Sequence, residues 1–255
     1  MDNDDQQVGQ VLSRRRALQL LGLSAGGTAV GAGLYGWWFF TGRNSAGTTG
    51  AKSLPGCVVR PAQIEGPYFV SNELNRRDIR ANTSGGAVQD GVPLTLEFVV
   101  SRVALNTCEP RANVKIDVWQ CDALGVYSGV ADNADQFDTR GQDFLRGYQL
   151  TDANGKASFR TIYPGWYAGR SVHLHFSMSV ITDGKVTGEF TTQLYFPDSI
   201  TDVVHARAPY NTKGQRDRLN STDILYRNGG SQLLLDLKGS LTEGYTATFD
   251  VGLNI

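Results

Sequence analysis

Apolar and polar positions alternate along most of the chain beyond residue 93. Leu94, Leu96, Phe98 and Val100 fall on one face of 93–103, and Val114, Ile116 and Val118 on one face of 113–119, a run that ends at Trp119. A period of two marks a strand with one face buried. Further runs at 157–163, 172–181, 189–196 and 245–252 read as strands. Turn residues separate them, among them Asp152-Ala153-Asn154-Gly155 and Thr182-Asp183-Gly184-Lys185. The second lies between two β-rich runs and predicts a hairpin. Only 199–206 and 231–238 read as short helices, and no repeat period is visible. Many short strands with turns between them predict an all-β sandwich or barrel.

The N-terminal part has a different pattern. Residues 1–12 are polar and acidic; Ser13-Arg14-Arg15-Arg16 then precedes an uncharged run from Ala17 to Phe40 that closes on Trp37-Trp38-Phe39-Phe40. A run of about 20 apolar residues suffices to cross a bilayer, and aromatic residues suit its interface. The arginine pair after a serine, with a glycine-softened apolar run behind it, resembles a twin-arginine (Tat) export signal; a plain single-span anchor is the alternative. Residues 1–42 are thus expected to be a signal or membrane anchor, cleaved or retained, that places the folded part outside the cytoplasm: periplasmic, extracellular or tethered facing outward. Residues 43–56, rich in Gly, Ser and Thr, read as a flexible linker, and 57–255 as the folded domain.

Composition narrows the function. With 24 Lys and Arg against 25 Asp and Glu, the net charge is -1, which excludes a nucleic-acid binder working through an overall basic field. The 30 glycines, with 10 Tyr and 11 Phe, suit strands and tight turns. Three Cys and three His exclude a Cys-rich zinc module. Cys108 and Cys121 lie at opposite ends of what reads as one strand, too far apart at ~3.3 Å per residue to bond. In an oxidising compartment Cys57 with Cys108 is the favoured pair and three reduced thiols are the alternative; the pairing stays open.

Two of the histidines, His173 and His175, stand at i and i+2, so on a strand both imidazoles point to one face. Two polar residues on a wetted face would look the same, but the flanking residues are apolar or small. Upstream, Tyr163-Pro164-Gly165-Trp166-Tyr167 places a tyrosine after a Pro-Gly turn, and Gly125-Val126-Tyr127-Ser128-Gly129 places another in a glycine-flanked turn. Spacing alone does not single these two out from ten tyrosines.

Together with Gln63-Ile64-Glu65-Gly66-Pro67-Tyr68, Cys108-Glu109-Pro110, Ile116 to Gln120, Phe144-Leu145-Arg146-Gly147, Thr151 to Gly155, Arg170 to His175 and Gln193-Leu194-Tyr195-Phe196, these segments run in one order across roughly residues 57–200. The set resembles the iron-site segments of the intradiol ring-cleavage dioxygenases, the family of protocatechuate 3,4-dioxygenase and catechol 1,2-dioxygenase. The resemblance implies an antiparallel β-sandwich with few short helices, holding Fe(III) by Tyr127, Tyr167, His173 and His175. It implies an enzyme that opens a catechol-type ring between its hydroxyl-bearing carbons, with both atoms of O2 entering a muconate-type dicarboxylic acid. By the same resemblance Arg170 acts on charge developing on the ring, Tyr167 serves as the base when substrate displaces it, and Gln193 lies on the oxygen and substrate side. Gly66, Pro67, Tyr68 and Trp166 are expected to line the substrate cavity. Hard phenolate donors suit a hard ferric ion.

The chain departs from the family pattern in its export signal. It also lacks the N-terminal helical dimerisation segment of the catechol enzymes, and only Ala168 and Gly169 stand between Tyr167 and Arg170, where the protocatechuate enzymes carry a longer loop. The particular catechol and the oligomeric state stay open. The reading from another class is a non-catalytic extracytoplasmic β-sandwich that binds a sugar or protein and keeps a vestigial metal site.

Overall fold

A computed structural model describes residues 57–71, 73–104, 107–132 and 136–253. The expected signal or anchor at 1–42 and the linker at 43–56 lie outside the described residues. Among those described, no helix is long and apolar enough to cross a membrane.

Among the described residues, eleven strands carry the architecture: β1 (Pro93–Ala104), β2 (Thr107–Pro110), β3 (Val114–Trp119), β4 (Ala131–Asp132), β5 (Phe137–Asp138), β6 (Arg146–Leu150), β7 (Lys156–Ile162), β8 (His173–Thr182), β9 (Lys185–Tyr195), β10 (Lys238–Ser240) and β11 (Gly244–Leu253). One sheet runs β10-β11-β1-β2, with β7 also on β1; a second runs β6-β3-β8-β9, and β4 and β5 pair with each other. Most pairs are antiparallel, as expected, but β1 and β11 pair in parallel from Leu94↔Tyr245 to Arg102↔Leu253.

The alternation in β1 works as its sequence predicts. Leu94, Leu96, Phe98 and Val100 are buried and meet the other sheet, where Phe98 lies 4.9 Å from Phe176 of β8, ring centre to ring centre. Val114, Ile116 and Val118 of β3 and Leu174, Phe176 and Met178 of β8 complete that layer. This is a sandwich with an apolar interior. The hairpin between β8 and β9 turns on Asp183 (φ 52°) and Gly184 (φ 73°), the left-handed pair that a tight two-residue turn needs.

Three sequence expectations change. The strand predicted through Cys108 to Cys121 is two strands in different sheets, β2 and β3, because the chain bends at Asn113 (φ 59°). Cys57 and Cys108 are nonetheless disulfide-bonded, with Cα atoms 5.7 Å apart, while Cys121 is free and buried. Of the two helices, α1 (Asp198–His205) forms where predicted, but 231–238 is only a 3-10 turn at Gly230–Leu233 followed by extended chain. There the backbone is captured by β9, Leu235 N donating to Tyr195 O. A single turn, α2 (Ile224–Arg227), begins at Asp223, whose carboxylate accepts from the backbone N–H of Leu225 and Tyr226. Its sequence gives no periodic signal.

Candidate metal centre and active site

The site is built on the outer face of the four-stranded sheet, opposite the core. At the start of β8, Leu174 and Phe176 enter the core, so His173 and His175 must point the other way. Register sets their neighbours: His175 lies across from Trp119 on β3 and Gln193 on β9, and His173 across from Tyr195. Trp119 stacks on His175 with ring centres 5.1 Å apart and 8° between planes. The segment 62–68 covers this face, held by Gln63 N donating to Thr191 O and by Gln193 Nε2 donating to Ile64 O. Gly66 (φ 80°) passes so close that a Cβ there would sit 3.2 Å from His175 Cε1.

Two loops bring the tyrosines. The Asp122 carboxylate accepts from the N–H of Leu124 and Val126, shaping the turn that delivers Tyr127. Gly125 (φ 81°) is required in that turn, since a Cβ would lie 2.1 Å from Trp166 O. The second loop locks onto the first where Gly165 N donates to Asp122 O, and this fixes the approach to Tyr167.

The four donor residues meet. His173 Nε2 lies 3.0 Å from His175 Nε2 and 3.0 Å from the Tyr167 hydroxyl. The Tyr127 ring centre is 5.8 Å from that of Tyr167 and 6.2 Å from that of His175. His173 Nδ1 lies 2.6 Å from Ser171 O, which can only accept, so the proton sits on Nδ1 and the Nε2 lone pair faces the cluster. Burial pushes both imidazole pKa values far down, and the positive Arg170 adds to this, so both rings are neutral. Burial pushes both phenols up, against a smaller opposing pull from Arg170. The Tyr127 hydroxyl is buried and has no hydrogen-bond partner among the described residues.

Two neutral imidazoles and the Tyr167 hydroxyl, linked by contacts of 3.0 Å, with the buried and unpartnered Tyr127 hydroxyl on a neighbouring ring, form a donor set that a multivalent cation would complete. Among the described residues no three His, Cys, Asp or Glu side chains gather as a metal site; the set here is two imidazoles and two phenols. His205, the third histidine, is elsewhere: its Nε2 is bonded to Pro164 O and its ring is stacked on Tyr210.

Arg170 borders the cluster, held by three groups. Its Nε donates to Asp223 Oδ2 at 2.8 Å, and its Nη2 to Gln193 Oε1 at 2.6 Å and Tyr195 Oη at 3.4 Å. Burial works against its charge, but Tyr167, Tyr195 and Asp223 outweigh that and hold its pKa above the usual guanidinium value. Burial likewise opposes the Asp223 charge, and Arg170 with three backbone N–H groups brings its pKa below the ordinary carboxylate value.

Of the residues expected to line a substrate cavity, Tyr68 stacks on Tyr127 at 4.4 Å and meets Tyr167 edge-on at 5.7 Å, and Pro67 is exposed beside it. Trp166 is partly buried and packs against the core, with Lys213 Nζ 5.1 Å above its ring. An open cavity of about 340 Å³ lies beside the Tyr127 turn, lined by Leu124, Gly125, Val126, Phe137, Thr212 and Lys213. Sequence reasoning missed this cavity, together with Asp223 and the Arg146 guanidinium. Arg146 is buried under Tyr127, 5.9 Å from its ring centre, and bonded to Ser128 O and Oγ. Arg146 lies in a segment that the resemblance had flagged without assigning it a role; Asp223 lies in none.

Known proteins resemble this chain in sequence and fold. A family model described as dioxygenase matches residues 64–222. The chain is similar to the protocatechuate 3,4-dioxygenase beta chain of Burkholderia cepacia, 38% identical over 141 residues, covering 51% of this chain and 57% of that one. It is similar to a chlorocatechol 1,2-dioxygenase of Pseudomonas sp. (strain P51), 32% identical, covering 54% and 55%. The chain thus spans little more than half the length of these curated relatives. The fold matches an intradiol ring-cleavage dioxygenase from Tetranychus urticae with a TM-score of 0.66 and 28% identity, over 78% of this chain and 95% of that one. A family match across well over half the chain spans all four residues of the donor cluster, and this chain belongs to the intradiol ring-cleavage dioxygenases.

Proposed function

We propose that the chain binds Fe(III) through Tyr127, Tyr167, His173 and His175 and opens a catechol-type ring between its two hydroxyl-bearing carbons, placing both atoms of O2 in a muconate-type dicarboxylic acid. The observation that carries this reading is the crowding of two imidazole Nε2 atoms and the Tyr167 hydroxyl at 3.0 Å beside the unpartnered Tyr127 hydroxyl. Hydrogen bonding within the cluster leaves the Tyr127 hydroxyl and His175 Nδ1 buried and unpartnered among the described residues, and a bound ion would use the phenol oxygen that folding alone leaves unsatisfied. When bound, ferric iron supplies Lewis acidity and one-electron acceptance toward a chelated catecholate.

The chain's own groups do the rest. Tyr127 is fully buried under Tyr68, whereas Tyr167 is partly exposed and lies beside Arg170, so Tyr167, which would be ionised when it ligates the ion, is the side chain able to swing out and take a substrate proton on its phenolate oxygen. The Arg170 charge, fixed by Asp223 and Gln193, stabilises negative charge that grows on the ring. Gly66, Pro67 and Tyr68 shield the face above His175 from water.

The test is iron analysis, the visible spectrum of the purified protein, and a catechol panel with oxygen uptake and product identification. Iron-loaded, coloured protein that consumes one O2 per ring opened supports the reading; iron-loaded but colourless protein, or coloured protein inert to every catechol, would overturn it.

We further propose that the domain works outside the cytoplasm. The Cys57–Cys108 bond supports this, because disulfides persist mainly in oxidising compartments. Changing Arg14 and Arg15 together to Lys should trap folded protein inside the cell; unchanged export would mean an ordinary anchor or signal instead.

A further inference from the structure

Asp223 lies just outside the family match, which ends at residue 222. It is 1% exposed, and its two carboxylate oxygens have separate duties. Oδ1 accepts from Leu225 N at 2.8 Å and Tyr226 N at 3.0 Å, which caps α2. Oδ2 accepts from Arg170 Nε at 2.8 Å, Ser171 N at 2.8 Å and Ser171 Oγ at 3.2 Å. The carbonyl of that same Ser171 receives the His173 Nδ1 proton and so fixes which His173 nitrogen faces the cluster. One carboxylate oxygen therefore touches both the cation beside the reacting ring and the residue that orients a donor imidazole.

We infer that Asp223 is the positioning residue of this site, setting the Arg170 guanidinium directly and the His173 imidazole through Ser171. The inference rests on the proposed iron and catechol chemistry. The reason is geometric. An Arg side chain with a free Nε would swing about its long stem, and only a partner on Nε leaves Nη2 aimed at Gln193. A ligand imidazole likewise needs its distal N–H held, and the group that accepts it must itself be held. Asp223 does both from the buried end of a capped turn. Capping alone would need only Oδ1; the three bonds to Oδ2 serve residues 170 and 171, about fifty positions away in sequence.

Asp223→Asn separates the two duties. Asparagine is as good a cap as aspartate, so the amide oxygen keeps Leu225 and Tyr226, while the amide NH2 is turned toward Arg170 Nε–H and Ser171 N–H, donor against donor. With unsubstituted catechol, kcat should fall about tenfold or more, with KM changed less, and iron should pass to a chelator about tenfold faster. Asp223→Ser, also a good cap but too short to reach Arg170, should behave alike. In an Arg170→Ala background the loss in kcat from Asp223→Asn should nearly vanish, since contacting residues that act together are not additive. Arg170→Ala alone should release iron at the wild-type rate. If both Asp223 variants lower only the melting temperature, with kcat and iron release per folded molecule unchanged, the residue is merely structural and the inference fails. Full additivity with Arg170→Ala would overturn it too. A wild-type chain that holds no iron and opens no catechol would instead overturn the functional reading itself.

Discussion

The two faces of the first half of β8 share one backbone and nearly the same burial, yet they are built on opposite rules. Leu174, Phe176 and Met178 point inward at 0–1% exposure; His173 and His175 point outward at 1–2%. On the inner face contacts are apolar and redundant: Phe176 alone meets the rings of Phe98, Phe190 and Phe249. On the outer face they are polar, specific and incomplete, with His175 Nδ1 and Tyr127 Oη buried without a hydrogen-bond partner among the described residues. A buried polar atom without a partner costs roughly 1–3 kcal/mol. The inner face therefore carries the stability, and the outer face spends some of it to hold donor atoms in place.

The largest expected effects come from deleting one side chain on each face. His173→Ala should abolish iron retention and turnover at a cost of about 1–3 kcal/mol in urea stability, because it leaves the buried Ser171 carbonyl without its partner. Phe176→Ala should do the reverse, costing about 3–5 kcal/mol in urea unfolding with iron content per folded molecule kept. If Phe176→Ala lost iron as completely as His173→Ala at temperatures where it stays folded, the two faces would not be separable and the division drawn here would be wrong.

The two faces also differ in how far they could be read from the chain. Alternation in β1, β3 and β8 announced the core because burying one face of a strand imposes a period of two. Short β2 and β6 left no such trace. The 231–238 segment misled because its leucines are placed by the β9 backbone rather than by a helical face. The His-x-His pair could be read as a same-face pair, but nothing in spacing picked Tyr127 and Tyr167 out of ten tyrosines; the order of family segments did that. Asp223 was illegible for a further reason. A carboxylate that works through contacts about fifty residues away looks locally like any other helix cap.

A smaller effect sharpens the account of the outer face. Arg170→Ala should keep iron and colour, because Arg170 donates to Asp223, Gln193 and Tyr195 and is none of the four donors. Its kcat should drop about 10²-fold, the loss usual for removing a group that stabilises transition-state charge. Equal loss of iron in Arg170→Ala and His173→Ala would make Arg170 structural.

The smallest effect is in pH. The inner layer has no titratable group among Leu174, Phe176 and Met178, so Phe176→Ala should lower stability by the same amount at every pH where the protein folds. The outer face should respond through Asp223, whose folded-state pKa lies below its unfolded value: burial opposes the charge, but Arg170 and the backbone N–H groups outweigh it. The sign follows from linkage. A carboxyl with a depressed folded pKa contributes stability fully above its unfolded pKa, about 4, and loses it as pH falls through the lower folded value. Asp223→Asn, which has no proton to gain, should therefore be less stable than wild type by a constant margin at neutral pH. That margin should narrow as pH falls below about 4. Urea midpoints of the two proteins measured from neutral pH downward would show it. Parallel curves throughout would mean that the Asp223 charge contributes nothing to folding and that its contacts matter only for where Arg170 and Ser171 point.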